Sequence, residues 1–118
     1  MAGFNITSQI LTSLTAIAGM SGEMNVGDFE ALQTELNRLR ESGIIGLVLD
    51  VNGLDSLSSA GLGVILDLAR VLEERRGKLV LAAPKPKLLG LIEMLGVKEG
   101  LNVVDTPEEA RRLVSSLE

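Results

Sequence analysis

The sequence predicts a single α/β domain, a mixed and mostly parallel sheet of four to five strands with about four surrounding helices. Two observations carry that reading. Ile44 to Leu49 and Leu79 to Ala83 are short, uninterrupted apolar runs, the pattern of strands covered on both faces. Each is followed by a segment whose apolar residues recur at helical spacing. Strands that alternate with helices of ten to fifteen residues require crossover connections, and crossovers join parallel strands.

Two weaker strand candidates open the chain, Phe4 to Ile10 and Leu14 to Met20, with alternation blurred by Ala and Gly, so the sheet is expected to begin antiparallel. From Asp28 to Arg40 the residues Phe29, Leu32, Leu36 and Leu39 mark one helical face, with Asn25 upstream as a cap and Gly43 as a stop. Ile44 to Leu49 then reads as the central strand, ending in Asp50. In the next helix Leu62, Ile65, Leu66, Ala69 and Leu72 form one stripe and Asp67, Arg70 and Glu74 the solvent side, with Gly77 closing it. Pro84-Lys85-Pro86-Lys87 turns the chain into a short helix carrying Leu88, Leu91, Ile92 and Leu95, stopped by Gly96. A last strand is expected near Leu101 to Val104. Thr106-Pro107-Glu108-Glu109 combines a Thr cap, Pro at the first helical position and Glu three residues after the cap, and starts a final helix that runs to about Leu117.

The 118 residues suit one domain, read as residues 1–118, with no repeat, linker or low-complexity tract. The chain has no Cys, His, Trp or Tyr, so Cys/His metal sites and Ser/His or Cys/His nucleophile pairs cannot be built from it. Nothing points to a cofactor. A formal net charge of −5 argues against a nucleic-acid partner. No apolar run approaches the ~18 residues of a membrane helix, and Met1 to Thr12 lacks the pattern of a secretory signal. The expected location is cytoplasmic.

The stretch from Asp50 to Gly63 reads Asp-Val-Asn-Gly-Leu-Asp-Ser-Leu-Ser-Ser-Ala-Gly-Leu-Gly and places Ser56, Ser58 and Ser59 between a buried strand and a long helix. In open α/β sheets, sites gather outside the carboxyl ends of strands. A hydroxyl at a helix N-terminus has two uses: it caps the free N–H groups there, or it carries a phosphate that those N–H groups and the helix dipole welcome. Gly61 and Gly63 lie inside the helix, where each costs about 1 kcal/mol against Ala. Two compensations are open, tight packing on the sheet or close approach of a partner's backbone. Asp50 is either a strand terminator or a support for the serine loop.

Leu47-Val48-Leu49-Asp50, followed by Leu54 and by Ser58-Ser59-Ala60-Gly61-Leu62-Gly63-Val64-Ile65-Leu66, resembles the signature of STAS domains, and most closely that of stand-alone bacterial anti-sigma factor antagonists. Gly22-Glu23-Met24-Asn25 resembles the Gly-Glu-Leu-Asp that precedes the first helix in that family. The resemblance implies a binding protein rather than an enzyme, with no cofactor. An anti-sigma factor that is itself a serine kinase would phosphorylate the antagonist, and a serine phosphatase would reverse this. The unphosphorylated antagonist would hold the anti-sigma factor and so release a sigma factor.

Carried onto this chain, the phosphorylated position is Ser59, with Ser58 as rival acceptor. The partner-binding set is Glu23, Asn25, Ser56, Ser58, Ser59, Ala60, Gly61 and Gly63, with Asp50 as loop support. Ser58 and Asn25 replace the Asp that many members carry at those places, which removes two negative charges from the expected binding surface. Two other readings remain open: a non-switching adaptor subunit of a transport or signalling-scaffold complex, and an enzyme working through carboxylates such as Asp50 and Asp55, which no spacing recommends.

Overall fold

In the computed structural model, which describes residues 3–117, the two apolar runs become neighbouring parallel strands. The sheet has four strands in the order β1 (Asn5–Ile10), β2 (Thr15–Glu23), β3 (Gly46–Ser56) and β4 (Lys78–Ala82). β1 and β2 pair antiparallel from Asn5↔Ser21 to Ile10↔Ala16, and β2–β3 and β3–β4 pair parallel. Helices α1 (Phe29–Glu41) and α2 (Ser59–Glu74) are the two crossovers, followed by α3 (Pro86–Met94) and α4 (Pro107–Ser115).

Period-two alternation in the central strands divides the core between the two faces of the sheet. Leu47, Leu49, Leu79 and Leu81 pack with Leu32, Leu36 and Leu39 of α1 and Leu62, Ile65 and Leu72 of α2. Val48, Val80 and Ala82 point the other way, against Ala110 and Val114 of α4. The sheet grows in one direction from β2 to β4, so right-handed crossovers place α1 and α2 side by side on one face. The opposite face of β3 and β4 is left for α4.

Several boundaries differ from the sequence reading for identifiable reasons. β3 begins at Gly46 rather than Ile44 and runs on to Ser56, so most of the expected serine loop is strand. Its register against β2 slips twice, from Gly19↔Asp50 to Ser21↔Gly53 and from Gly22↔Leu54 to Glu23↔Ser56. Each slip places an extra residue on β3. Bulges of this kind break the alternation that marks a strand in sequence, and Val51 and Leu54, three apart, are both buried on the α1–α2 side.

The expected strand at Leu101 to Val104 is reduced to a single bridge between Ala82 and Val104. Asn102 adopts a left-handed backbone (φ 48°) that interrupts extension. Gly43 (φ 86°) and Gly96 (φ 69°) stop α1 and α3 as expected, but Gly77 does not close α2 by a left-handed turn. Arg76 takes the positive φ instead (64°). Gly77 is glycine because a Cβ there would lie 1.8 Å from the carbonyl oxygen of Ile45.

β1 is tied to α1 by polar groups: the Ser8 hydroxyl donates to Glu35, and Arg38 donates to Glu35 (2.7 Å) and to Ser8 (2.5 Å). The Arg38 bond, aided by Ser8 and opposed by partial burial, holds the Glu35 carboxyl below its ordinary range. A depressed carboxylate pKa stabilises the fold above the unfolded value and ceases to do so as the pH falls through the folded one. This tie therefore weakens on acidification.

The close approach of Gly77 to Ile45 has a direct test. Gly77→Ala forces backbone against backbone, and overpacking of that kind costs about 3 kcal/mol or more. Urea denaturation should show that loss, and a variant as stable as the parent would contradict the close approach of Gly77 to Ile45.

Candidate functional site

Past Ala82, the last residue of β4, β2 and β3 continue together as a two-stranded extension. It carries Glu23 opposite Ser56, and the Met24 N–H donates to the Ser56 carbonyl at 3.1 Å. Only Leu57 and Ser58 separate the end of β3 from α2. Two segments far apart in sequence, Glu23–Asn25 and Ser56–Gly63, thus meet at one edge of the molecule.

Ser58 is the N-cap of α2. Its backbone is extended (φ −72°, ψ 156°) and its hydroxyl oxygen accepts from the Gly61 N–H at 3.1 Å. Ser59 is the first residue of the helix and its side chain is exposed. The cap engages Gly61 and leaves the N–H groups of Ser59 and Ala60 directed at solvent or at any group brought to this end. α2 has no acidic residue in its first turn, so no carboxylate there offsets the positive end of its dipole.

The two glycines of the motif answer differently to the question of compensation. A Cβ on Gly61 would sit 2.7 Å from Met24 Sδ and 2.9 Å from Leu57 Cδ1, so tight packing explains that glycine. Around Gly63 nothing lies within 4 Å, and the residue is exposed. Its own fold does not require it to be glycine.

Asn25 begins a short 3-10 turn, Val26–Asp28, that leads into α1. The Asp28 carboxylate accepts from the Asn25 N–H at 2.9 Å and holds that turn. Val26 in the turn is 88% exposed, an apolar side chain offered to solvent beside Asn25. On the other flank Lys85 and Asp55 form an ion pair at 2.6 Å.

Asp50 does not join this cluster. It pairs within β3 opposite Gly19 and Ala82, and its carboxylate accepts from the Asn52 N–H at 3.1 Å. Among the described residues it makes no hydrogen bond to the serine segment, because five further residues of strand intervene before Ser56 ends β3. Loop support by Asp50 is thus corrected to a local turn within the strand. Sequence reasoning also missed Met24, whose sulfur seats Gly61. Its place inside the Gly-Glu-Met-Asn segment was the available signal.

The described residues contain no cluster of three or more side chains able to hold a metal ion. Nor does any described helix have the length and apolarity to cross a membrane.

The cap and the two glycines give a stability ranking. Ser58→Ala should cost about 1 kcal/mol as a lost cap, and Ser59→Ala, on the surface, less than ~0.5 kcal/mol. Gly63→Ala should gain about 1 kcal/mol, the helix-interior difference between the two residues, and Gly61→Ala less, since Met24 and Leu57 must move. Chemical denaturation of the four variants checks the order. Equal effects at Ser58 and Ser59, or at Gly61 and Gly63, would contradict it.

With this geometry established, three comparisons place the chain. The STAS domain model matches residues 8–110. "Putative anti-sigma factor antagonist BtrV" of Bordetella bronchiseptica is 36% identical over 94 residues, covering 80% of this chain and 81% of that protein. The anti-sigma factor antagonist SpoIIAA in its unphosphorylated form has the same fold, with a TM-score of 0.80 at 22% identity over 97% of both chains. The phosphorylated form of SpoIIAA, described as a Bacillus cell fate determinant, gives a TM-score of 0.72 at 21% identity over 93% of this chain and 97% of that one. The serine-capped helix, the strand extension that meets it and the match across most of its length show that this chain belongs to the STAS domain family.

Proposed function

We propose that this protein is a cytoplasmic anti-sigma factor antagonist that binds an anti-sigma factor through the surface around Ser59 and is released when Ser59 is phosphorylated. The observation that carries this reading is the division of labour between the two adjacent serines. Ser58 is engaged as the helix cap, whereas Ser59 stands exposed at the first helical position. Support for the partner class comes from the 36% identical relative named as an anti-sigma factor antagonist.

The chain acts as substrate and ligand, and the catalytic groups belong to its partners. An anti-sigma factor kinase transfers the terminal phosphoryl group of ATP to Ser59 Oγ, the hydroxyl proton leaving to a base of the kinase and ADP departing. A serine phosphatase returns the hydroxyl by hydrolysis. The phosphate adds about −1.5 to −2 charge. At the N-terminus of α2 that charge is well placed for its own chain, facing the N–H groups of Ser59 and Ala60. Phosphorylation should leave the fold in place.

The effect falls on the complex. An interface closed around a neutral hydroxyl has no room or countercharge for a dianion, and a desolvated, unpaired charge costs several kcal/mol. Even 3 kcal/mol corresponds to a roughly hundredfold loss of affinity. Glu23, Asn25, Ser56, Ala60 and Gly63 form the remaining contact surface in this reading, whereas Gly61, buried against Met24 and Leu57, supports it from beneath. The relief of charge at Ser58 and Asn25 selects a partner surface with less need of cations than the family's usual one.

The test is a binding series with the cognate anti-sigma factor. Ser59→Asp should fold normally and bind about a hundredfold more weakly. Ser59→Ala should bind like the parent and resist phosphorylation, and Ser58→Ala should keep both binding and phosphorylation. Tight binding by Ser59→Asp, or normal phosphorylation of Ser59→Ala, would refute the assignment.

A further inference from the structure

β1 and β4 are the edge strands of the sheet, and they are treated differently. Along the outer edge of β4 the Leu81 N–H donates to the Leu101 carbonyl at 3.0 Å, while the Val104 N–H donates to the Leu81 carbonyl and the Ala83 N–H to the Val104 carbonyl, both at 2.9 Å. The Asn102 side-chain amide donates to the Leu79 carbonyl at 2.9 Å. That edge is closed. β1 is open. The Leu11 N–H donates to the Thr15 carbonyl at 2.9 Å, in register with the β1–β2 pairing, and in an antiparallel pair the bonded residues recur at every second position. Asn5, Thr7 and Gln9 therefore bond to β2, whereas Ile6, Ser8 and Ile10 turn their N–H and C=O groups outward. Among the described residues those outward groups have no hydrogen-bond partner.

Free edges are ordinarily guarded by Lys, Pro, a bulge or a covering segment. The six residues of β1, Asn-Ile-Thr-Ser-Gln-Ile, contain neither a charge nor a Pro, and their pairing with β2 runs without a bulge. The same residues name the occupant. Ile6-Thr7-Ser8-Gln9-Ile10 has nearly the same pattern read in either direction. A two-fold axis through Ser8, perpendicular to the sheet, sets Ile6 of each copy opposite Ile10 of the other, and Thr7 opposite Gln9. Ile6 is partly buried on the core and Ile10 is 49% exposed, and cross-strand pairing of β-branched side chains stabilises a sheet. Charge agrees with this register. Glu35 and Arg38 both engage Ser8 and so flank the axis; the two-fold operation turns the carboxylate of one copy toward the guanidinium of the other.

We propose that β1 pairs antiparallel with β1 of a second copy, in register about Ser8, and joins two four-stranded sheets into one of eight. The contact is isologous and closes on itself, so assembly stops at the dimer. A six-residue edge is short against the about 800 Å² that a standard interface buries on each partner, so monomer and dimer exchange with concentration. Because the axis reverses strand direction, the two Ser59 positions stand at opposite ends of the joined sheet and neither is covered. The inference does not depend on what Ser59 binds.

The test is sedimentation of the full chain over a range of concentrations, with circular dichroism to follow the fold. The parent should pass from monomer to dimer as its concentration rises. Ile10→Lys should keep the parent's spectrum and melting temperature yet self-associate at least tenfold more weakly, as a charge placed on an edge does. Met94→Lys, at a 75% exposed position on α3, should dimerise like the parent. The register has its own test, since the chain contains no cysteine. The double variant Thr7→Cys, Gln9→Cys should form a disulfide-linked dimer on mild oxidation, and either single variant far less, because directly opposite positions fall within disulfide reach and diagonal ones do not. A parent that stays monomeric at every concentration, a dimer that survives Ile10→Lys, or single variants that cross-link as well as the double would overturn the proposal. If the parent is monomeric alone and β1 gains hydrogen-exchange protection only when the anti-sigma factor is added, the edge receives a strand of that protein, and self-pairing is refuted.

Discussion

The contact on which the site depends is the seating of Gly61 on Met24 and Leu57. A helix whose first turn lacks one Cβ can lie directly on the methionine that ends the β2–β3 extension, and the distances there leave no space for a larger residue without movement. That contact fixes where α2 starts. With the start fixed, Ser58 falls at the cap and Ser59 at the first exposed position, and the Met24 backbone bond to Ser56 brings Glu23 and Asn25 to the same edge. The chemistry of the edge follows from packing beneath it.

Legibility in the sequence tracked how local the controlling interaction was. Leu47 to Leu49 and Leu79 to Leu81 declared themselves because both sheet faces are covered, so neither face needs polar residues. α4 was equally plain, since Thr106 accepts from the Glu109 N–H at 3.1 Å as its cap. β3 beyond Asp50 was illegible because two bulges shift its register, and such shifts are decided by β2, thirty residues away. Leu101 to Val104 has a strand's composition, and only the left-handed Asn102, whose amide donates to the Leu79 carbonyl at 2.9 Å, shows why it does not become one.

At the site, the family motif pointed to Ser59, whereas local spacing could not separate it from Ser58. The separation is a matter of geometry: one hydroxyl is spent on the Gly61 N–H, and the other is turned outward. The two glycines could not be told apart in sequence either. In three dimensions Gly61 packs against Met24 and Leu57, whereas Gly63 faces open space.

Electrostatics and packing then act on different objects. Within the chain, a phosphate at the start of α2 meets free N–H groups and no carboxylate of its own first turn, so it is compatible with the fold. Across an interface the same charge is isolated from solvent. The most direct measurement is fragment mass spectrometry of the protein recovered from its own cells, read for phosphate between residues 54 and 66. The account predicts a single phosphate on Ser59 with Ser58 unmodified. Phosphate on Ser58 with Ser59 bare would contradict it, because the hydroxyl that caps the helix would then be the one that switches.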